Sequence, residues 1–248
     1  MASPQYYQTD PVGTLMPNCV GTYQLLELAR KKATQGFLFF SSGEIYGNIP
    51  QSVTEVFENT VGLIDPAKLR SCYGESKRMG ETMCRAWSHQ YGIPTKSVRI
   101  YHTYGPTCDP KHDERVFSEF VGNIINGQDI IIKSDGKSSR AFCYITDATD
   151  AFFRILHKGQ SGETYNMGNS ECLISVRELA ETLVNCFPEK NLRVITEKRL
   201  PDSVYMESPV KEMQIINTDK LRGLGWKPHI GIEEGFRRTV ESLMMDIG

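Results

Sequence analysis

The chain has 248 residues, 40% of them hydrophobic, and its 28 basic residues almost balance 30 acidic ones. A chain of this size can bury a normal core, and the lack of a basic surplus argues against nucleic acid or a membrane surface as a partner. Seven cysteines without a CxxC pair, short apolar runs and an N-terminus without a signal-peptide pattern predict a cytoplasmic α/β protein without a disulfide framework.

Helical and strand patterns alternate through the first hundred residues. A buried helix is predicted over about 11–33, and the apolar run Phe37 to Phe40 is typical of a central strand in a parallel sheet. A helix over about 73–91 and a strand over about 95–101 follow a long loop, and this order predicts one parallel sheet with right-handed crossovers. The predicted buried faces are Leu15, Cys19, Val20, Tyr23, Leu26, Leu28 and Ala29 on the first helix, and Met79, Met83, Ala86, Trp87 and Tyr91 on the second.

Shorter elements follow Pro106. A strand over about 140–145 ends near Asp147, which is predicted to cap the next helix. The other predicted elements are a helix over about 115–126, a strand over 130–133, helices over 148–157 and 175–186, a strand over 192–196, and helices near 217–222 and 231–245.

The segment Tyr73-Gly-Glu-Ser-Lys77 is the first candidate for chemistry. Residues four apart share one face of a helix, so the phenol and the ammonium are expected side by side. A nearby ammonium lowers the pKa of a tyrosine and makes it a usable general base. The spacing alone is also compatible with a surface helix that carries an amphipathic tyrosine.

The second candidate is Ser41-Ser-Gly-Glu44, at the carboxyl end of the first predicted strand. Open parallel sheets bind ligands at those ends. A serine hydroxyl there can hydrogen-bond a substrate oxygen and a glutamate can act as a base. A polar loop without function is the alternative interpretation.

Together the two motifs resemble the extended short-chain dehydrogenase/reductase family, the NAD-dependent nucleotide-sugar epimerases, dehydratases and decarboxylases. The resemblance implies a Rossmann-like α/β fold with a parallel sheet that lacks its first strands. It places a partial NAD-binding domain at 1–106 and a small, interwoven substrate lobe at 107–248. Further matching segments are Ala2-Ser-Pro4, Asn18 to Glu27, Arg99 to Pro106, Gly136 to Asp147 and Leu224 to Pro228.

The resemblance also implies roles for individual residues. Tyr73 would deprotonate a sugar 4-hydroxyl while a hydride moves to the nicotinamide. Lys77 would hold the nicotinamide ribose and lower the pKa of the tyrosine, and Ser42 would share the proton network. The remaining assignments are Ser3, Tyr101 and Arg115 to the cofactor, and His102 and Arg140 to the substrate, with Arg140 pairing with the diphosphate.

Glu44 bears on the type of reaction. Once C4 of the sugar is a ketone, a glutamate there can remove the C5 proton or assist loss of a C6 carboxylate. Similar dehydratases carry an aspartate beside this glutamate as an acid, whereas this chain has Gly43. The Glu44 loop and the Tyr73 helix look like the UDP-glucuronate decarboxylase branch. The chain differs from that branch at Met16, where a lysine is usual, and at His102, where an asparagine is usual. An arginine usual ahead of Asn217 is also missing, and Lys211 and Met213 stand nearby instead.

The glycine-rich turn that seats the NAD pyrophosphate is not found in the 248 residues. The sequence therefore predicts an N-terminally truncated member of the family, or one whose missing half comes from a partner chain. The expected partners are NAD, a nucleotide-diphosphate sugar and a second copy of the chain, with no metal, and the product is expected to serve surface polysaccharides. A 4-epimerase and a non-catalytic fragment that keeps only the substrate lobe and dimer face remain alternatives.

Overall fold

The computed structural model describes residues 5–110, 112–113, 115–197 and 215–245. Its helices are α1 (Tyr6–Thr9), α2 (Pro11–Met16), α3 (Thr22–Lys31), α4 (Ser71–Tyr91), α5 (Val116–Ile125), α6 (Ile145–Lys158), α7 (Val176–Cys186), α8 (Asp219–Arg222) and α9 (Ile232–Met245). Its strands are β1 (Phe37–Ser42), β2 (Glu55–Val56), β3 (Thr95–Ile100), β4 (Thr103–Tyr104), β5 (Ile130–Ile132), β6 (Ser139–Ala141), β7 (Cys143–Tyr144), β8 (Thr164–Met167), β9 (Leu173–Ser175), β10 (Val194–Thr196) and β11 (Ile215–Ile216).

A parallel sheet of order β1-β3-β8 organises the fold. Phe37 pairs with Thr95 and Ser42 with Ile100, so the carboxyl ends of β1 and β3 lie together. The predicted parallel, Rossmann-like sheet is confirmed, but sequence reasoning missed β8, whose four residues are too few to show a clear period. Within the described sheet β1 is an edge strand rather than a central one, and Phe40 is 45% exposed.

Helix α4 packs on β1 through small residues. A Cβ added to Gly80 would lie 2.2 Å from the Phe39 ring, which shows how closely the helix approaches the strand. The predicted apolar face was right in part, because Met83 and Trp87 pack against buried Leu26 and Phe39, whereas Met79 and Tyr91 are exposed. The buried residues of α4 are Cys72, Tyr73, Gly74, Ser76, Gly80 and Cys84, and all of them except Tyr73 have small side chains that allow this approach.

The helix predicted over 11–33 is present but divided. A π-helical turn, Pro17–Gly21, lies between α2 and α3, and Pro17 cannot donate a backbone hydrogen bond there. The extra residue in this turn rotates the following face, so Val20, Tyr23 and Leu28 are exposed rather than buried. Leu26 and Ala29 are buried as predicted.

The described chain divides into two compact units. The first contains the described residues of Met1–Tyr101, Ala148–Gly168 and Ser208–Lys227, and the second those of His102–Asp147, Asn169–Glu207 and Pro228–Gly248. The core of the second unit includes an aromatic cluster of Tyr104, Phe117, Phe142 and Phe236. The functional division predicted at residue 106 stays a prediction.

The strand predicted over 140–145 is broken in two. β6 pairs with β9 in antiparallel fashion, whereas β7 pairs with β4 in parallel, so the ladder cannot continue through Phe142. Asp147 lies inside α6 and does not cap it. Its carboxylate accepts hydrogen bonds from the backbone N–H groups of His229 and Ile230, both at 2.9 Å, and thereby ties α6 to the segment before α9.

Helix α7 begins with a capping box. Ser175 accepts a hydrogen bond from the backbone of Glu178, and the Glu178 carboxylate accepts one from the backbone of Ser175. The predicted helix over 175–186 is confirmed, as are α8 and α9 close to their predicted bounds. No helix in the described ranges is long and apolar enough to cross a membrane.

Candidate active site

The carboxyl end of β1 turns sharply into a short 3₁₀ helix, Gly43–Tyr46. The buried hydroxyl of Ser42 accepts a hydrogen bond from the backbone of Glu44 at 3.2 Å and so closes the turn. Because a parallel strand ends here, both side chains lie at the edge of the sheet where this fold class binds ligands. The structure places Ser42 and Glu44 where the sequence predicts them, at the start of one loop.

Tyr73 and Lys77 lie in the first half of α4 and meet this loop. Lys77 Nζ lies 5.7 Å from the centre of the Tyr73 ring and donates to the carbonyl oxygen of Phe40 at 2.8 Å. The Ser42 hydroxyl lies close enough to the Tyr73 phenol to lower the pKa of the phenol. The structure thus brings Ser42, Tyr73 and Lys77 together as the spacing of the two motifs predicts.

Burial shifts the pKa values of Tyr73 and Lys77 in opposite directions. Burial raises the pKa of Tyr73 above 10.0, the hydrogen bond with Ser42 opposes this, and the negative charge of Glu44 adds to it. Burial also lowers the pKa of Lys77 to about 8. Desolvation of the phenolate outweighs the contact with Ser42, so the pKa of Tyr73 is raised, and the effect of Lys77 on it stays a prediction.

Two residues that sequence reasoning missed complete the group. Arg70 donates to both oxygens of Glu44, at 2.8 and 3.2 Å, and its guanidinium lies 5.7 Å from the centre of the Tyr7 ring. The Tyr7 ring in turn stacks on Tyr73, with centroids 4.8 Å apart and an angle of 11°. Arg70 stands three residues before Tyr73, a spacing that puts both at the same end of α4 and that could have identified it.

Gly43 is closed in by Tyr101. A Cβ added to Gly43 would lie 2.7 Å from Cε1 of Tyr101, closer than real Cβ contacts. The backbone N–H of Tyr101 donates to the carbonyl of Met167 at 3.0 Å, which fixes this residue at the end of β3. Tyr101 therefore lies against the Ser42–Glu44 loop, and glycine at position 43 is a steric requirement of this packing.

The second unit holds the other predicted residues, His102, Arg115 and Arg140. Burial lowers the pKa of His102 to about 3, and the positive charges of Arg140 and Arg115 act in the same direction. Arg115 pairs with Asp113 at 2.6 Å, and Arg140 donates to the carbonyl of Ser139 at 2.8 Å. A neutral imidazole near two guanidinium groups suits an anionic ligand.

Three positions singled out in the sequence, Ser3, Lys211 and Met213, lie outside the described residues. Among the residues that the structure does describe, no group of three or more His, Cys, Asp or Glu side chains could hold a metal ion.

The side chains at the end of β1 fit one end of NAD. Lys77 has three N–H donors, and the Phe40 carbonyl takes one of them, so the ammonium can still donate to ribose hydroxyls. Tyr73 presents its phenol on the same helix face. These residues fit the nicotinamide ribose, whereas the glycine-rich turn that would hold the pyrophosphate is not in the 248 residues.

The fold and this serine–tyrosine–lysine group define an NAD-dependent enzyme of the Rossmann type. A sequence model described as the NAD dependent epimerase/dehydratase family matches residues 1–168. The chain belongs to this family, and NAD is the family's cofactor.

Named relatives act on nucleotide sugars. UDP-glucuronic acid decarboxylase 6 of Arabidopsis thaliana is 31% identical over 248 residues, which cover 100% of this chain and 68% of the relative. The dTDP-D-glucose 4,6-dehydratase of Homo sapiens is 30% identical over 228 residues, covering 90% of this chain and 61% of that protein. The relatives thus include both of the reaction types that the Glu44 loop suggests.

Solved structures share the fold. The UDP-glucose 4-epimerase of Thermotoga maritima, solved with UDP-glucose, superposes with a TM-score of 0.84 at 23% identity, over 100% of this chain and 76% of that chain. The UDP-glucose 4-epimerase of Thermus thermophilus, solved with NAD, gives a TM-score of 0.80 at 26% identity, over 98% and 75% of the two chains. These likenesses confirm the Rossmann-like fold.

Proposed function

We propose that the protein converts a nucleotide sugar through a 4-keto intermediate and removes its C6 carboxylate as CO2. The observation that carries the proposal is the pairing of Glu44 with a sterically enforced glycine at position 43, beside Ser42 and Tyr73. Its similarity to UDP-glucuronic acid decarboxylases of plants and vertebrates supports the same reaction. Dehydration through the same 4-ketone is the nearest alternative.

The first step is oxidation at C4. Tyr73 as phenolate takes the proton of the 4-hydroxyl, and Ser42 hydrogen-bonds the same oxygen as it becomes a carbonyl. NAD, when bound, would supply the acceptor for the C4 hydride. Lys77 donates to the nicotinamide ribose and, as an ammonium, favours the phenolate.

The second step needs no acid beside Glu44. A carboxylate β to a ketone leaves as CO2, and its bonding electrons form the enolate of the 4-ketone. Water protonates that enolate at C5, and the reaction balances when Tyr73 returns its proton to the C4 oxygen as the bound cofactor would return the hydride to C4. Glu44 lies at the loop where it can orient a water or proton donor toward C5.

Dehydration would require an acid for the leaving 6-hydroxyl. An aspartate at position 43 would provide it, but its Cβ would overlap the Tyr101 ring. Glycine cannot donate a proton. The packing of Tyr101 therefore favours decarboxylation over dehydration, and the need for Glu44 in either reaction separates both from simple epimerisation.

The positive group in the second unit provides the substrate's anion site in this proposal. Arg140 pairs with the nucleotide diphosphate, and His102 stays neutral because the two arginines and burial disfavour its imidazolium form. Arg115, whose charge Asp113 partly offsets, acts near the cofactor or the diphosphate. A role of the product in surface polysaccharides remains a prediction.

The test is a panel of UDP-, dTDP-, GDP- and CDP-sugars with NAD, read by product mass. We expect a UDP-sugar acid to lose the mass of CO2, and we expect Tyr73→Phe to abolish this while substrate binding persists. Loss of water would identify a dehydratase, and a change of configuration at constant mass an epimerase. If the chain forms no product and binds no NAD, catalysis by this chain is rejected and the non-catalytic alternative is favoured.

A homodimer is a further part of the proposal. The family resemblance predicts pairing through the first two long helices, and the structure leaves Val20, Tyr23 and Met79 on them 40%, 49% and 49% exposed. Sedimentation equilibrium is expected to give twice the chain mass, and Tyr23→Glu is expected to lower it. A monomer at micromolar concentration would contradict the pairing.

A further inference from the structure

We propose that Arg70 is a positioning residue that fixes the Glu44 carboxylate and offsets its charge beside the Tyr73 phenol. The inference rests on the proposed function insofar as Glu44 and Tyr73 are the reacting groups. The charges of Arg70 and Glu44 are coupled to the ionisation of Tyr73, and this coupling can be measured without any turnover.

The contact between Arg70 and Glu44 holds the carboxylate in one orientation. Both terminal nitrogens of the guanidinium, Nη1 and Nη2, donate to the two carboxylate oxygens, at 2.8 and 3.2 Å, and only 23% and 22% of the two side chains are exposed. A two-point contact of planar groups fixes the carboxylate plane as well as its distance, which a lysine cannot do. Partial burial also makes the pair less sensitive to screening than a surface pair.

Arg70 is itself held against the aromatic stack. Its guanidinium lies over the Tyr7 ring, and Tyr7 stacks on Tyr73, so one side chain contacts both the carboxylate and the support of the phenol. Its Nε is buried and has no hydrogen-bond partner among the described residues, a cost that a purely structural surface arginine would not carry. We therefore infer that the Arg70 guanidinium is placed here for its contact with Glu44.

The charge of Glu44 acts on the phenol. It raises the pKa of Tyr73 and that of Tyr7, and Arg70 opposes the effect on Tyr7. The other groups that face the phenol are the Ser42 hydroxyl, the Lys77 ammonium and the Tyr7 ring. Without Arg70 the negative charge of Glu44 would stand uncompensated next to the tyrosine that has to ionise.

The test places 3-fluorotyrosine at position 73 and follows its ionisation by ¹⁹F NMR, which separates it from the other tyrosines. The variants are Arg70→Met, Glu44→Gln and both together. The matched control is Lys68→Met, which removes a positive charge two residues away from a side chain that is 71% exposed. Near-ultraviolet circular dichroism checks that each variant is folded.

We expect Arg70→Met to lower the phenolate fraction about threefold at a fixed pH below the pKa of residue 73, since one pKa unit is tenfold. In the Glu44→Gln background, adding Arg70→Met should leave the phenolate fraction unchanged. Lys68→Met should have the same phenolate fraction as the parent. No shift in Arg70→Met, or a shift that persists without Glu44, would overturn the proposal. Should Arg70→Met fail to fold, Arg70→Gln decides: it removes the charge but keeps a polar side chain, so the same threefold loss of phenolate is required.

Kinetics provide an independent arm. If the parent enzyme turns over, Arg70→Met should lower kcat while KM stays within about twofold, because the proposed role of Arg70 is to hold Glu44 rather than to bind substrate, and Arg70→Lys should restore part of kcat. A rise in KM alone would contradict a positioning role. If the parent shows no turnover, the proposed function fails, while the ¹⁹F titration still decides on the coupling.

Discussion

Single side chains in this protein owe their protonation mainly to burial. Tyr73 and Lys77 are shifted in opposite directions by the same cause, because burial penalises the phenolate of one and the ammonium of the other. Ser42 and Glu44 then act on the phenol with opposite sign. The two motifs identify these four residues from sequence, but the sign of the tyrosine's pKa shift depends on how deeply the fold buries it.

His102 gives a prediction for stability against pH. Its pKa falls from 6.5 to about 3 on folding, so the unfolded chain binds the proton more readily and acid favours unfolding. The contribution of His102 is present above pH 6.5 and is lost as the pH falls toward 3, at no more than about 1.4 kcal/mol per pH unit.

Urea unfolding of the parent and of His102→Gln between pH 7 and 4 tests this. The parent should lose stability more steeply than the variant, and the exposed His112→Gln should behave like the parent. If the free energy of unfolding falls equally with pH in the parent and in His102→Gln, the imidazole is solvated in the folded protein.

At the scale of elements, small residues decide which faces meet. Apolar periodicity locates α4 well but assigns its buried face only in part, because Met79 and Tyr91 are exposed while Gly80 and Ser76 are buried. Hydrophobicity predicts which residues gain from burial, whereas the distance between a helix and a strand depends on side-chain volume. The π turn at Pro17–Gly21 is a second case, since a change of helical period cannot be inferred from a pattern that assumes one period.

Gly80→Leu is expected to destabilise the protein by about 1–3 kcal/mol or more, because the new side chain would overlap the Phe39 ring. Gly21→Ala is the matched control, since a Cβ there meets nothing within 4 Å. That change should be neutral or stabilise by up to about 1 kcal/mol. Thermal unfolding of both variants measures the difference, and equal melting temperatures would contradict the close contact.

At the scale of the whole first unit, one buried polar network joins its layers. Arg99 on β3 pairs with Glu81 on α4 at 2.8 Å and donates to the Tyr46 hydroxyl at 2.7 Å, and Ser41 on β1 donates to Glu81 at 2.5 Å. Tyr46 donates to Asn166 on β8 at 2.7 Å. The network ties the strands beneath the site to the helix that carries Tyr73.

Glu81→Leu should cost about 3–5 kcal/mol, because it leaves the Arg99 guanidinium buried without its carboxylate. Glu119→Leu is the comparison, since the Glu119–Lys133 pair is exposed and worth about 0–1 kcal/mol. The free energy of unfolding in urea distinguishes them. A loss below 1 kcal/mol for Glu81→Leu would mean that water replaces the carboxylate.

The sequence by itself predicted the fold class, most helices and the longest strands, and it marked Ser42, Glu44, Tyr73 and Lys77 as candidates. The elements follow from local periodicity, whereas the four candidates rest on two short motifs and on the family that these motifs resemble. Only the tertiary structure revealed Arg70 on Glu44, Tyr7 on Tyr73 and Tyr101 on Gly43. Two of these contacts join residues far apart in the chain, and the third bridges a loop. Such contacts, like the burial that sets the pKa values, exist only once the layers have packed.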